Sequence, residues 1–245
     1  MAVSICAAGG RARFFGQVGD DPLGALLVAE LERAGVEAIV GRAGVTGSVV
    51  VLVEPDGERT MFPDRGASGE LRPIDPAQVR SLAALHITAY SLLAEPIATA
   101  SRAAAAVARD AGIPLSLDLS SAGSIKAFGL APFRRELAAL APDLVFANAE
   151  EAELLGLEGG GHAWTALVKH GANPVVVLDR AGARNEVAVP AVAGVRDTTG
   201  AGDAFAAGAL VALAGGAGAV EAARAGSAQA ARVLVQLAAA YDPVR

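Results

Sequence analysis

Short apolar runs at 85–88, 115–119, 144–147 and 175–178 alternate with longer stretches of helical period at 96–111 and 133–140. Such runs are too short for helices; 144–147 and 175–178 are apolar throughout, 85–88 and 115–119 alternate, and all four read as short buried strands. Strands separated by helices return to one sheet side by side and parallel. The fold class is therefore α/β, with a mostly parallel sheet flanked by helices on both faces. A short strand is expected at 13–18. Asp21-Pro22 opens an amphipathic helix that Gly35 stops. The last helix is expected over 222–237.

One segment breaks the rhythm. Residues 48–53 and 59–62 alternate in strand fashion around Pro55-Asp56-Gly57, which predicts an antiparallel hairpin. The insertion spans 46–68 within a single domain, 1–245. A strand pair inserted in this way folds over an active site or forms a subunit contact.

Composition excludes several classes. With 53% hydrophobic and 19% charged residues, the chain is not a disordered one. A net charge of −6 gives no general attraction to nucleic acid or an acidic membrane. Cys6 is the only cysteine, so no internal disulfide forms, which suits a cytoplasmic protein. No uncharged apolar run reaches membrane-spanning length, and no basic region precedes an apolar core at the start. There is no Gly-x-x-x-x-Gly-Lys-Ser/Thr string, and no Gly-x-Gly-x-x-Gly follows a first strand. His86, His162 and His170 lack metal-site spacing. Trp164 is expected on a helix face; Lys169 could reach a nucleotide, but an exposed lysine is the expectation.

The chemistry concentrates in Asp197-Thr198-Thr199-Gly200-Ala201-Gly202-Asp203-Ala204-Phe205. Three small residues before an Asp, followed by an apolar run, make a tight turn opening a helix. The N–H groups of Gly200, Ala201 and Gly202 can face one ligand, and the helix N-terminus adds positive potential there. Such a nest suits a phosphate. Asp203 would repel a merely bound phosphate, but it suits removal of a proton from a hydroxyl that attacks one. A Gly-rich turn beside an acidic residue is the plainer alternative.

The whole string resembles the C-terminal signature of the PfkB/ribokinase family of sugar and nucleoside kinases. The resemblance implies a ribokinase-like fold in which Gly200, Ala201 and Gly202 form the anion hole and Asp203 is the general base. It extends over most of the chain. The stretch 16–24 is similar to the family's lead into its first long helix. Glu58-Arg59-Thr60 with Asp64-Arg65-Gly66-Ala67 resembles its lid hairpin. His86 to Tyr90 and Leu117-Asp118-Leu119 resemble strand ends at the acceptor. Arg59, Arg65 and Tyr90 are the implied substrate contacts.

Asn148-Ala-Glu-Glu151 resembles the family's Asn-x-x-Glu motif, which tunes the magnesium and phosphate environment. Taken alone, these residues equally suit a helix N-cap and its capping box. The stretch 175–183 resembles the strand and turn beside the nucleotide, with Gly182 close to it, and Ser227 corresponds to an adenine-pocket position. Asp197 and Thr199 match positions able to supply oxygens to a monovalent cation, although Asp197 is equally a plain turn-former.

The implied activity is ATP-dependent phosphorylation of a sugar or sugar-acid hydroxyl, with Mg²⁺ and K⁺. The branch most similar in wording acts on 2-keto-3-deoxygluconate. A homodimer through the β lid is expected. Relatives open with a strand carrying a substrate Asp and then Gly-Gly and Asn. This chain begins within the helix that follows, so the acceptor half of the site is expected to be incomplete. A non-catalytic protein that binds nucleotide or a partner, and a nucleoside kinase, remain the alternatives.

Overall fold

The structure is a computed structural model that describes residues 1–53 and 59–240. The turn Pro55-Asp56-Gly57 and Glu58 lie outside the described residues. The chain forms two compact units. One comprises 1–72, 190–211 and 225–245, and the other 73–189 and 212–224.

The first unit opens with α1 (Ala2–Ala7), then β1 (Arg13–Val18), α2 (Pro22–Arg33) and β2 (Glu37–Arg42). β1 and β2 pair in parallel, Arg13 opposite Glu37. Helix α2 starts where its sequence dictates: Asp21 accepts the Gly24 N–H, and Pro22 sits where no amide partner is needed. The expected hairpin follows as β3 (Ser48–Val53) and β4 (Arg59–Asp64), antiparallel, with Val50 opposite Phe62.

The second unit contains α3 (Pro76–Arg80), β5 (Leu85–Thr88), α4 (Ile97–Asp110), β6 (Leu115–Asp118), α5 (Ala122–Phe128), α6 (Leu130–Leu140), β7 (Leu144–Asn148), α7 (Ala149–Leu155), β8 (Thr165–His170), β9 (Asn173–Leu178) and β10 (Arg184–Val187). Its sheet runs β10-β9-β8-β7-β6-β5. Strands β5 to β8 are parallel, whereas β9 and β10 are antiparallel to their neighbours. The expected strand segments are buried, with Leu117, Val145, Phe146 and Val177 enclosed. Phe133 and Ile125 close the helical layer around them. Two further helices, α8 (Ala201–Ala214) and α9 (Ala219–Ala240), run through both units.

Three sequence expectations change. Strands β2, β8 and β10 were not foreseen, because their charged and small residues blur the apolar alternation. Trp164 lies in the bend before β8, not on a helix, and its ring stacks on His162 at 5.4 Å. Lys169 is on β8, only 19% exposed, and paired with Asp118 at 3.2 Å.

Candidate active site

In the first unit, Gly200 has φ +77°, a conformation that side chains disfavour, and a Cβ added there would meet nothing within 4 Å. The Ala201 N–H turns back to the Thr198 carbonyl, and the Gly200 carbonyl receives the Ala204 N–H, so α8 starts at Ala201. The open space beside Gly200 and the N–H-rich first turn of a 14-residue helix form a cradle that fits an anion.

Asp203 sits in this first turn with its side chain 57% exposed. Its Oδ2 lies 3.2 Å from the α-amino group of Met1, so the start of α1 borders the carboxylate. The next residues, Ala204 to Ala209, are all buried, which fixes the helix beneath the exposed Asp. Small residues make that packing close. A Cβ on Gly226 of α9 would lie 2.6 Å from the Phe205 carbonyl oxygen.

Asp197 and Thr199 form a turn of their own. Asp197 Oδ1 accepts both the Thr199 N–H at 2.8 Å and the Thr199 hydroxyl at 2.6 Å. Ser227 is buried in α9.

In the second unit, the carboxyl ends of the parallel strands bring together Asp118 (β6), Asn148 (β7) and Lys169 (β8). Asn148 is opposite Lys169 in the register, and Asp118 is opposite Phe146. These positions share one face, because Phe146 and Asn148 are two residues apart. The Lys169–Asp118 pair thus spans the end of β7. Asp118 also accepts the Ser120 N–H at 2.8 Å.

Asn148 and Glu151 form a complete capping box at the start of α7. Asn148 Oδ1 accepts the Glu151 N–H at 2.9 Å, and the Glu151 carboxylate accepts the Asn148 N–H at 2.8 Å. Glu151 is only 2% exposed. Burial pushes its carboxyl above the ordinary range; the Asn148 N–H opposes this, Asp118 adds to it, and Lys169 opposes it. No group of three His, Cys, Asp or Glu able to hold a metal occurs among the described residues.

Gly182 does not join this cluster. Because β9 runs antiparallel to β8, the turn after Leu178 lies at the opposite edge of the sheet, where Arg180 pairs with Asp143 before β7. The glycine turn on the Asn148 edge is the β8–β9 connection at Gly171, with φ +63°. Tyr90 follows β5 and donates its hydroxyl to the Ser120 carbonyl at 3.4 Å, leaving it 44% exposed. Arg59 opens β4 and Arg65 lies just past its end.

Gly171 is not singled out by the sequence, and Lys169 is found paired at the strand ends and not exposed as expected. The signal was present in Ala166-Leu-Val168, a short apolar run ending in a Lys, but its pairing with Asp118 depends on strand order.

A family model, pfkB family carbohydrate kinase, matches residues 1–244. A probable fructokinase-4 from Arabidopsis thaliana is 37% identical over 125 residues, covering 48% of this chain and 38% of the relative. The chain thus aligns with well under half the length of that curated relative. The adenosine kinase from Sinorhizobium meliloti superposes with a TM-score of 0.86 at 28% identity, covering 95% of this chain and 75% of that one. A putative ribokinase II from E. coli, in complex with ATP and Mg²⁺, gives a TM-score of 0.81 at 20% identity over 95% of this chain and 80% of that one. At that identity the likeness speaks for the fold, which is ribokinase-like.

Proposed function

Because the chain belongs to the pfkB family of carbohydrate kinases, we propose that it transfers the γ-phosphoryl group of ATP to a sugar hydroxyl. The observation that carries this reading is the open cradle at Gly200 joined to an exposed carboxylate in the first turn of α8. Asp203 takes the proton of the acceptor hydroxyl as its oxygen bonds to the γ-phosphorus and the bond to the leaving ADP breaks. The N–H groups of Gly200 and Gly202 stabilise charge on the moving group, whereas the Ala201 N–H, expected to join them, is turned back to the Thr198 carbonyl and shapes the loop. Mg²⁺ supplies further charge neutralisation when bound, with Asn148 and Glu151 acting on its waters. Asp197 and Thr199 are assigned to a K⁺ site, and Ser227 to the nucleotide's base. Gly182 is not retained beside the nucleotide, since it lies on the sheet edge away from Asn148.

The finer substrate assignment is a sugar acid of the 2-keto-3-deoxygluconate type, with Arg65 or Arg59, and Tyr90, contacting it. An arginine suits a carboxylate. The superposition on an adenosine kinase favours a nucleoside as the second reading. The hairpin supports a homodimer. Val49 and Val51 lie on one of its faces and Val50, Leu52 and Phe62 on the other, all exposed. One face suits the acceptor side and the other a second copy. Among the described residues no helix is long and apolar enough to cross a membrane, and we assign the protein to the cytoplasm.

The test is ATP consumption with Mg²⁺ and K⁺ over a panel of sugars, sugar acids and nucleosides, with Asp203→Ala alongside. Turnover with one acceptor, reduced about 10²- to 10⁴-fold in the variant, is expected for loss of a general base. ATP binding without turnover on any acceptor would favour a non-catalytic, nucleotide-binding role.

A further inference from the structure

Within the first unit the chain enters the hairpin through Val45-Thr46-Gly47 and leaves it at Arg65-Gly66-Ala67. Its strands expose apolar side chains on both faces, so its angle is set at the base. There the chain is bound tightly. Asp21 Oδ2 accepts the Thr46 N–H at 2.7 Å, and Oδ1 accepts the Thr46 hydroxyl at 2.6 Å. The same Oδ1 caps α2 by accepting the Gly24 N–H at 2.8 Å. Thr46 Oγ1 in turn accepts the Gly19 N–H at 2.9 Å, and Thr46 is buried.

The backbone closes in around these bonds. A Cβ on Gly19 would meet the Thr46 nitrogen at 2.3 Å, and one on Gly47 would meet the Arg65 carbonyl oxygen at 2.3 Å. The Ala67 N–H donates to the Val45 carbonyl at 2.8 Å. One carboxylate therefore ties the N-terminus of α2 to the strand entering the hairpin. The Thr46 hydroxyl above all, and then the Gly24 and Thr46 N–H groups, hold the Asp21 carboxyl below the ordinary range, which keeps it an acceptor at neutral pH.

We propose that Asp21 and Thr46 form a latch that sets the angle of the β3–β4 hairpin, and that both are positioning residues for the acceptor. The second half rests on the kinase reading, in which the hairpin covers the acceptor. From sequence alone Asp21 is only a helix start; its hold on a residue 25 positions away exists in the tertiary structure.

The experiment uses the full chain with Thr46→Val, which removes the hydroxyl at nearly constant shape, and Thr46→Ser, which keeps it. Amide hydrogen exchange is followed over 48–53 and 59–64, and KM is measured for the acceptor found in the panel and for ATP. Thr46→Val is expected to speed exchange in the hairpin. It should also raise the acceptor KM about tenfold, the factor set by about 1.4 kcal/mol for a bond to a charged group, while KM for ATP stays unchanged. Thr46→Ser should restore both.

Unchanged exchange in Thr46→Val overturns the latch. Faster exchange with both KM values rising together overturns the positioning role. If the unaltered chain phosphorylates no acceptor, the kinase reading and the positioning role fail together, and the exchange data still decide the latch.

Discussion

Replacing Glu151 by Gln separates its capping bond from the role proposed for its charge beside Mg²⁺. As the third residue of the capping box, Glu151 accepts the Asn148 N–H. A Gln of nearly the same shape keeps an oxygen for that bond. The bond weakens from charged to neutral, a loss of about 1 kcal/mol. Against this, the variant no longer buries a carboxylate that is 2% exposed and that Asp118 repels. The two effects oppose each other, so the net stability change stays within about 1 kcal/mol, or roughly 2–4 °C in Tm for a chain of this size.

Asn148→Ala lacks such compensation. It removes the cap itself, which costs about 0.5–2 kcal/mol, and strips the Glu151 N–H of its partner inside a buried turn. It should melt below Glu151→Gln.

The pH dependence gives a second signature. The folded Glu151 carboxyl titrates above its ordinary 4.5, so between those values the folded state binds more protons than the unfolded one. Wild-type stability should therefore fall as pH rises through this window and level off above it. Glu151→Gln should lack that fall. Unfolding would be followed by urea titration across the window, and turnover measured against Mg²⁺ concentration. If the charge orders the waters of the cation, the variant loses roughly 10- to 100-fold in apparent Mg²⁺ affinity or in turnover, the usual effect of a group acting through the cation's surroundings. An unchanged Mg²⁺ dependence would refute that reasoning and leave capping as the whole role of Glu151. A melting loss equal to that of Asn148→Ala would refute the balance of charge burial against bond strength.

Two further outcomes follow from the packing. In Gly226→Ala the new methyl lies 2.6 Å from the Phe205 carbonyl oxygen, a backbone atom that cannot swing aside. An overpacking cost of about 1–3 kcal/mol outweighs a helix-propensity gain of up to about 1 kcal/mol; thermal unfolding should show the loss, and kcat should fall because Phe205 is two residues from Asp203. Lys169→Met leaves Asp118 without its cation at an 18% exposed site, with an expected cost of about 2 kcal/mol, between exposed and buried pairs. Urea unfolding checks it, and Lys169→Arg should keep most of the stability.

Much of this protein is written in local sequence. The strands at 85–88 and 115–118 alternate apolar and polar residues, 144–147 is a continuous apolar run, and α2 has both its cap and its stop in Asp21-Pro22 and Gly35. The turn at Gly200 that opens α8 is equally local, because its hydrogen bonds close within four residues. The capping box at Asn148 and Glu151 is legible as well, since both bonds close within four residues.

What the tertiary structure decided is direction and pairing. The apolar run at 175–178 looks the same whether its strand runs up or down. Only its antiparallel register with β8 sends Gly182 to the far edge of the sheet and brings Gly171 to the Asn148 edge. Lys169 reads as an exposed lysine until β6, β7 and β8 lie side by side and Asp118 reaches it across the end of β7. Asp21 reads as a helix cap until Thr46 folds back onto it. Periodicity and capping depend on neighbours along the chain, which the sequence by itself determines. Strand direction and long-range ion pairs depend on which segments become neighbours in space, and that is settled only when the whole sheet assembles.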